Sequence, residues 1–179
     1  MARATMADLI NRVRFLVRDP VGLEQVFEDD EIQDALDRRR THADEACLYY
    51  RPSTSVSGTN EYHDYFAGRG DWEDAVILKG SGGALLTPDS EDLLNGRWGF
   101  TASQLPPVYI SGDFYDVYGT AAALGLVAQN KAGQDLESFS TDGQSFKWAK
   151  RESWASLVTE YRRLAIQPGK RPSWHGSDW

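Results

Sequence analysis

The stretch Ser111-Gly112-Asp113-Phe114-Tyr115-Asp116-Val117-Tyr118-Gly119-Thr120-Ala121-Ala122-Ala123-Leu124-Gly125-Leu126-Val127-Ala128 is the segment on which the fold turns. Asp113 stands in a capping position with Asp116 three residues on, the form of a capping box. From Val117 the run is apolar nearly all round, which predicts a central, buried helix beginning at Gly112-Asp113. Gly119 and Gly125 each cost such a helix about 1 kcal/mol relative to Ala, and close approach of neighbouring helices is the offsetting gain.

Three further helices lie outward from this one. The first has Thr5 as its cap and Asp8 in the capping-box position. Leu9, Val13 and Leu16 form its stripe, flanked by Ile10 and Val17, with Arg12, Arg14 and Arg18 off the stripe. Asp19-Pro20 ends it, because a residue before proline avoids the helical region. The second opens at Phe27-Glu28-Asp29-Asp30-Glu31-Ile32. Phe27 and Ile32 suit a hydrophobic staple, and Glu28 stands as an unusual cap. Asp29, Asp30 and Glu31 meet the positive end of the helix dipole, and Arg38, Arg39 and Arg40 the negative end. The fourth covers Gln144 to Ile166, capped by Asp142 or Ser145, with Trp154, Leu157, Val158, Tyr161 and Leu164 at helical spacing. Gln167 to Trp179, broken by two Pro and two Gly, reads as an extended arm, the alternative being a disordered tail.

Between the helices the texture becomes β. Strands are expected at Ala46–Pro52, Tyr62–Phe66, Ala75–Leu78, Ala84–Leu86, Arg97–Thr101 and Val108–Ile110. Gly80-Ser81-Gly82-Gly83 joins two of them as a hairpin turn. A phosphate-binding loop would need Lys-Ser or Lys-Thr after its last glycine, and Ala84-Leu85-Leu86 follows instead. Arg69-Gly70-Asp71 reads as a turn rather than an integrin-type ligand.

The formal charge is −8, which disfavours wrapping nucleic acid as the main role. The ends are basic and the middle acidic, with seven carboxylates from Glu24 to Asp37. These are either ordinary solvated faces or charge-complementary surfaces that meet between subunits. On the second reading Arg12, Arg14, Asp29, Asp30, Arg38 and Arg39 are the candidate subunit-interface residues. Eight Tyr and six Trp also suit interfaces, as they would a core.

Chemistry-bearing patterns are sparse. His42, His63 and His175 lie far apart, with no HExxH, GxSxG or GxGxxG pattern. The acidic cluster at Asp29 lacks EF-hand spacing. Asp64 and Asp71 could be nominated as paired carboxylates, but 27 acidic residues supply such pairs by chance. The single cysteine, Cys47, excludes an internal disulfide and is expected to be buried and inert. No catalytic residue, metal or cofactor is expected. Without a signal peptide or membrane span, the reading is a protein made in a reducing cytosol.

The run Met6-Ala7-Asp8-Leu9-Ile10, Val13-Arg14, Asp19-Pro20 and Phe27 to Asp37 resembles the head–tail connector (adaptor) proteins of tailed bacteriophages. So do Leu86-Thr87-Pro88, Gly96-Arg97-Trp98-Gly99-Phe100, Val108-Tyr109-Ile110-Ser111-Gly112 with Tyr115-Asp116-Val117-Tyr118, and Asp142-Gly143-Gln144-Ser145-Phe146. The resemblance spans most of residues 6 to 166 and rests on the order of caps, turns and core faces. Glu28, where Thr or Ser is expected, and the arm from Gln167 depart from it.

The resemblance implies an α+β, mainly α fold: a small four-helix bundle with an inserted antiparallel β region and an extended C-terminal arm. In one domain, residues 1–45 would form the N-terminal helical pair, 46–111 the β insertion, 112–166 the second helical pair and 167–179 the arm. It also implies a non-enzymatic virion protein at the phage neck, made in the host bacterial cytoplasm. Its partners would be copies of itself in a ring, commonly a dodecamer, then the portal protein, a stopper or tail-terminator protein, and genomic DNA in the channel, with no membrane. Arg171, Trp174, His175 and Trp179 on the arm are the candidate portal-binding residues. Two alternatives stay open: a stopper or tail-completion neck protein, and a cytosolic enzyme or ligand-binding protein with an unrecognised site.

Overall fold

The computed structural model describes residues 2–19, 21, 25–137 and 155–165. It departs from the mainly α four-helix bundle expected from the sequence. About 35% of the chain is helical and 29% is strand, and the strands form two four-stranded antiparallel sheets. The chain divides into two compact units, a helical one (residues 1–39 and 116–168) and a β one built on residues 40–115.

In the helical unit, a 3-10 turn (Ala4–Met6) leads into α1 (Ala7–Val17), followed by α2 (Asp29–Asp37), α3 (Val117–Glu137) and a helix at residues 155–164. The cap of α1 is Met6 rather than Thr5, which lies inside the 3-10 turn. Leu9, Ile10, Val13 and Val17 are buried along one stripe, as the 3.6-residue period requires. In α2 Glu28 does stand at the cap, and its backbone N–H donates to Glu31 Oε2 at 2.9 Å. Phe27, Ile32 and Leu36 are buried beside it. Val117, Ala121, Ala122, Leu124 and Ala128 supply the buried face of α3.

The helix expected from Gly112 starts five residues later. Residues up to Tyr115 belong to a strand, because Ile110, Gly112 and Phe114 bury alternate positions at the two-residue period of a sheet. The capping role falls to Asp116. Its Oδ1 accepts the Gly119 N–H at 2.9 Å, and its carbonyl accepts from Thr120 N and Thr120 Oγ1, both at 2.9 Å. A Cβ on Gly119 would collide with the Asp116 carboxylate and the Arg39 guanidinium, so any larger residue there must displace the cap.

The β unit contains β1 (Arg40–Cys47), β2 (Tyr49–Thr54), β3 (Asn60–Phe66), β4 (Ile77–Lys79), β5 (Leu85–Leu86), β6 (Ser90–Asp92), β7 (Arg97–Gly99) and β8 (Tyr109–Tyr115). One sheet has the order β1-β8-β4-β5 and the other β2-β3-β7-β6. A single residue, Leu48, separates β1 from β2, so one run of chain leaves the first sheet and enters the second. Leu48 is buried and its N–H donates to Val108 O at 2.8 Å. Trp72 lies between Phe114 of the first sheet (centroids 5.2 Å) and Trp98 of the second (6.0 Å), and the three rings form the centre of the core. The glycine hairpin is present as read, with Gly80 N donating to Ala84 O at 2.9 Å.

Candidate interaction surfaces

Each unit carries features that fit contact with another molecule. In the helical unit they gather where α1 ends. Arg14, expected off the buried stripe, is itself buried. Its guanidinium donates to Asp19 Oδ2 (2.9 Å), Asp29 Oδ1 (2.6 Å) and Phe27 O (2.8 Å). The side chain of Asp19 is fully shielded from solvent and also accepts the backbone N–H groups of Val26 (2.6 Å) and Phe27 (3.1 Å). Two opposite charges with every polar atom engaged can sit inside a protein where one alone could not. Arg14 and Asp29 are therefore joined within the chain, and the Arg14 donors act internally.

Around this clamp the surface is apolar and cationic. Phe15 is 83% exposed and Val21 76%. Arg18 caps α1 in the left-handed conformation (φ 52°) and is exposed. Tyr161 donates to Leu16 O at 3.1 Å and stands 6.0 Å from the Tyr118 ring, which brings the helix at residues 155–164 beside the end of α1. Burial pushes the Tyr161 hydroxyl pKa up. Arg162 and Arg163 on that helix are exposed. Lys131 of α3 stands 5.0 Å over the Phe27 ring, a cation–π contact.

In the β unit the exposed features are acidic and aromatic. Residues 40–115 hold eleven Asp and Glu against five Lys and Arg, a formal −6. β6 is an edge strand whose three residues, Ser90, Glu91 and Asp92, are all exposed. The β2–β3 hairpin leaves Val56 fully exposed at its tip, and Tyr50 on β2 is half-exposed, packed edge-on against Tyr62 (5.3 Å). Tyr65 beneath them is buried and donates to Gln104 O at 2.6 Å. Burial, with Tyr50, Tyr62 and Cys47 nearby, pushes its pKa up to about 12.

Two irregularities in the ladders place charged groups. Asp44 and Glu45 bulge from β1 opposite Ser111, Glu45 adopts a positive φ (47°), and its carboxylate accepts from Lys79 Nζ at 2.7 Å, which raises the Lys79 pKa. His63 is the extra residue of a second bulge, between the Arg51↔Asp64 and Pro52↔Tyr62 pairs. Its ring lies between Glu61 Oε2 (3.2 Å) and Phe100 O (2.9 Å), two acceptors that favour the imidazolium and raise its pKa. On the neighbouring sheet, Asp113 accepts from His42 at 2.7 Å and pairs with Arg40 at 3.6 Å on open strand surface.

Among the sequence-predicted residues, Asp30 and Arg38 lie exposed at opposite ends of α2. Arg39 sits 3.9 Å from Asp116, and Arg12 is half-buried on α1. Arg171, Trp174, His175 and Trp179 lie outside the described residues, as do Asp142, Ser145 and Trp154. Cys47 is exposed, not buried as expected. It is on the edge strand β1, its thiol donates to Leu48 O at 3.6 Å, and partial burial raises its pKa. Asp64 lies on β3 in register with Arg51 and Gly99, while Asp71 adopts a positive φ (61°) in the turn before Trp72. The Arg69-Gly70-Asp71 turn is used internally, with Arg69 O accepting from Trp72 Nε1 at 2.8 Å and Gly70 pressed against Leu94 O. Among the described residues no group of three or more His, Cys, Asp or Glu could hold a metal ion, and no helix is long and apolar enough to cross a membrane. Sequence reasoning missed Phe15, Val21 and Asp19 as contact residues; Phe15 has a signal, an aromatic off the apolar stripe, and Arg18 belongs to the basic N-terminal end read from the charge pattern.

No family model, curated protein or solved structure matches the chain.

Proposed function

We propose that the protein is a structural subunit of a tailed-phage neck, a head–tail connector that forms a ring between the portal and the next neck or tail component and extends the DNA channel. The observation that carries this reading is the inserted β unit: an acidic module of net −6 placed in the chain between α2 and α3. An inserted antiparallel β region is what the resemblance implies, although it is larger here than a hairpin insertion. An acidic wall lets DNA slide past, since phosphate binding needs clustered Lys and Arg.

Electron microscopy of the purified protein, alone and with the portal ring, tests the reading. Rings, or assembly on the portal, are the expected result. A compact monomer with no affinity for the portal overturns it.

A further inference from the structure

We propose that the outer face of α1 and the start of the connection after it bind the β6 edge strand of a second copy of this chain. The inference rests on the connector reading above and gives its self-contact two specific surfaces.

The first surface is apolar at its centre and cationic around it. Phe15 stands on α1 opposite the buried Val13 and Val17, with Arg12 one turn before it and Arg18 one turn after. An aromatic on the polar face of a helix gains nothing from water, and aromatic and Arg anchors ringed by polar groups are the usual centre of a contact. Two features hold this surface in shape. Arg18 keeps a left-handed backbone that disfavours any residue but Gly, Asn or Asp. Asp19, buried and joined to Arg14, fixes the backbone at Val26 and Phe27 where the chain re-enters the fold. A surface fixed before binding loses less entropy on binding.

The second surface has the complementary chemistry. β6 is the free edge of its sheet, and Ser90, Glu91 and Asp92 all face solvent. Asp92 is engaged with the Asn95 amide at 2.8 Å, while Glu91 has no ion pair among the described residues. It belongs to the unit with the −6 excess, so a cationic partner is steered toward it. Because the two surfaces differ, each copy offers one and accepts the other, the head-to-tail arrangement that forms a ring when its rotation closes.

The test uses the full chain and sedimentation velocity at low and high salt. Phe15→Ser, Arg18→Asp and Glu91→Arg should each weaken assembly by about tenfold or more, since like charges facing across a contact repel. Asp is chosen at position 18 because it tolerates the left-handed backbone. The double variant Arg18→Asp/Glu91→Arg returns opposite charges to every contact and should restore assembly. Unchanged assembly in the single variants overturns the proposal, as does a double variant no better than the weaker single. Unchanged melting curves show that the variants fold, and Glu91, on an exposed edge, provides a substitution outside the core. If the wild type forms rings and the single variants do too, this contact falls and the connector reading stands. If the wild type stays monomeric with and without portal, both fall.

Discussion

Arg14 shows how much one side chain can organise. With only 6% of its side chain exposed, it binds Asp19, Asp29 and the Phe27 carbonyl, and so ties α1 to both ends of the following connection. Arg14→Ala leaves Asp19 buried without its counter-ion and should cost about 3–5 kcal/mol, measured by denaturant unfolding. Arg14→Lys keeps the charge without the planar fork and should fall between the two. Gly119 poses a different test. In an open helix, Gly→Ala gains about 1 kcal/mol. Here the new methyl displaces the Asp116 cap, which is worth about as much or more, so Gly119→Ala should fail to stabilise the protein. Neither role was legible in the sequence. Arg14 falls beside the apolar stripe, and only its distant partners Asp19 and Asp29 make burial possible.

Among the elements, the helices were the most legible and the strands the least. Apolar spacing located α1 and α2 because one face of each must be buried. The Gly80–Gly83 turn located β4 and β5. β1 was missed over Arg40–Glu45, since Arg40-Thr41-His42-Ala43-Asp44-Glu45 has little β-propensity and no alternation. What makes it a strand is pairing with β8, about seventy positions away in the chain. The same pairing carries β8 through Asp113, past the point where the sequence suggested a helix cap. Two predictions belong at this scale. Asp116→Ala removes the cap of α3 and should cost about 1–2 kcal/mol. The bulge at His63 should make stability depend on pH. Its folded pKa lies above the ordinary 6.5, so its contribution is complete below that value and is lost as pH rises through the raised pKa. An NMR titration should place the His63 midpoint above 6.5, and His63→Gln should flatten the stability–pH curve in that window. A midpoint at or below 6.5 would refute the bridging role.

For the whole molecule, the sequence conveyed the order of parts and missed their proportions. Helices at either side of an acidic β middle were legible from texture and charge. A second full sheet was not, because a short strand such as Ser90–Asp92 gains its stability from its neighbour rather than from its own pattern. On the connector reading, deleting residues 167–179 should weaken portal attachment while leaving the thermal unfolding of the remainder unchanged. Attachment equal to that of the full chain would remove the arm from the interface. The register Arg40↔Tyr115 pairs the first residue of the β unit with its last, so entry and exit lie about 5 Å apart. An insertion with adjoining ends asks little of its host: a tight turn could replace it, and a longer one could occupy its place. The β unit can thus be exchanged, enlarged or trimmed in the course of evolution, and two descendants of one ancestor could keep the same helices while differing entirely between Arg39 and Asp116.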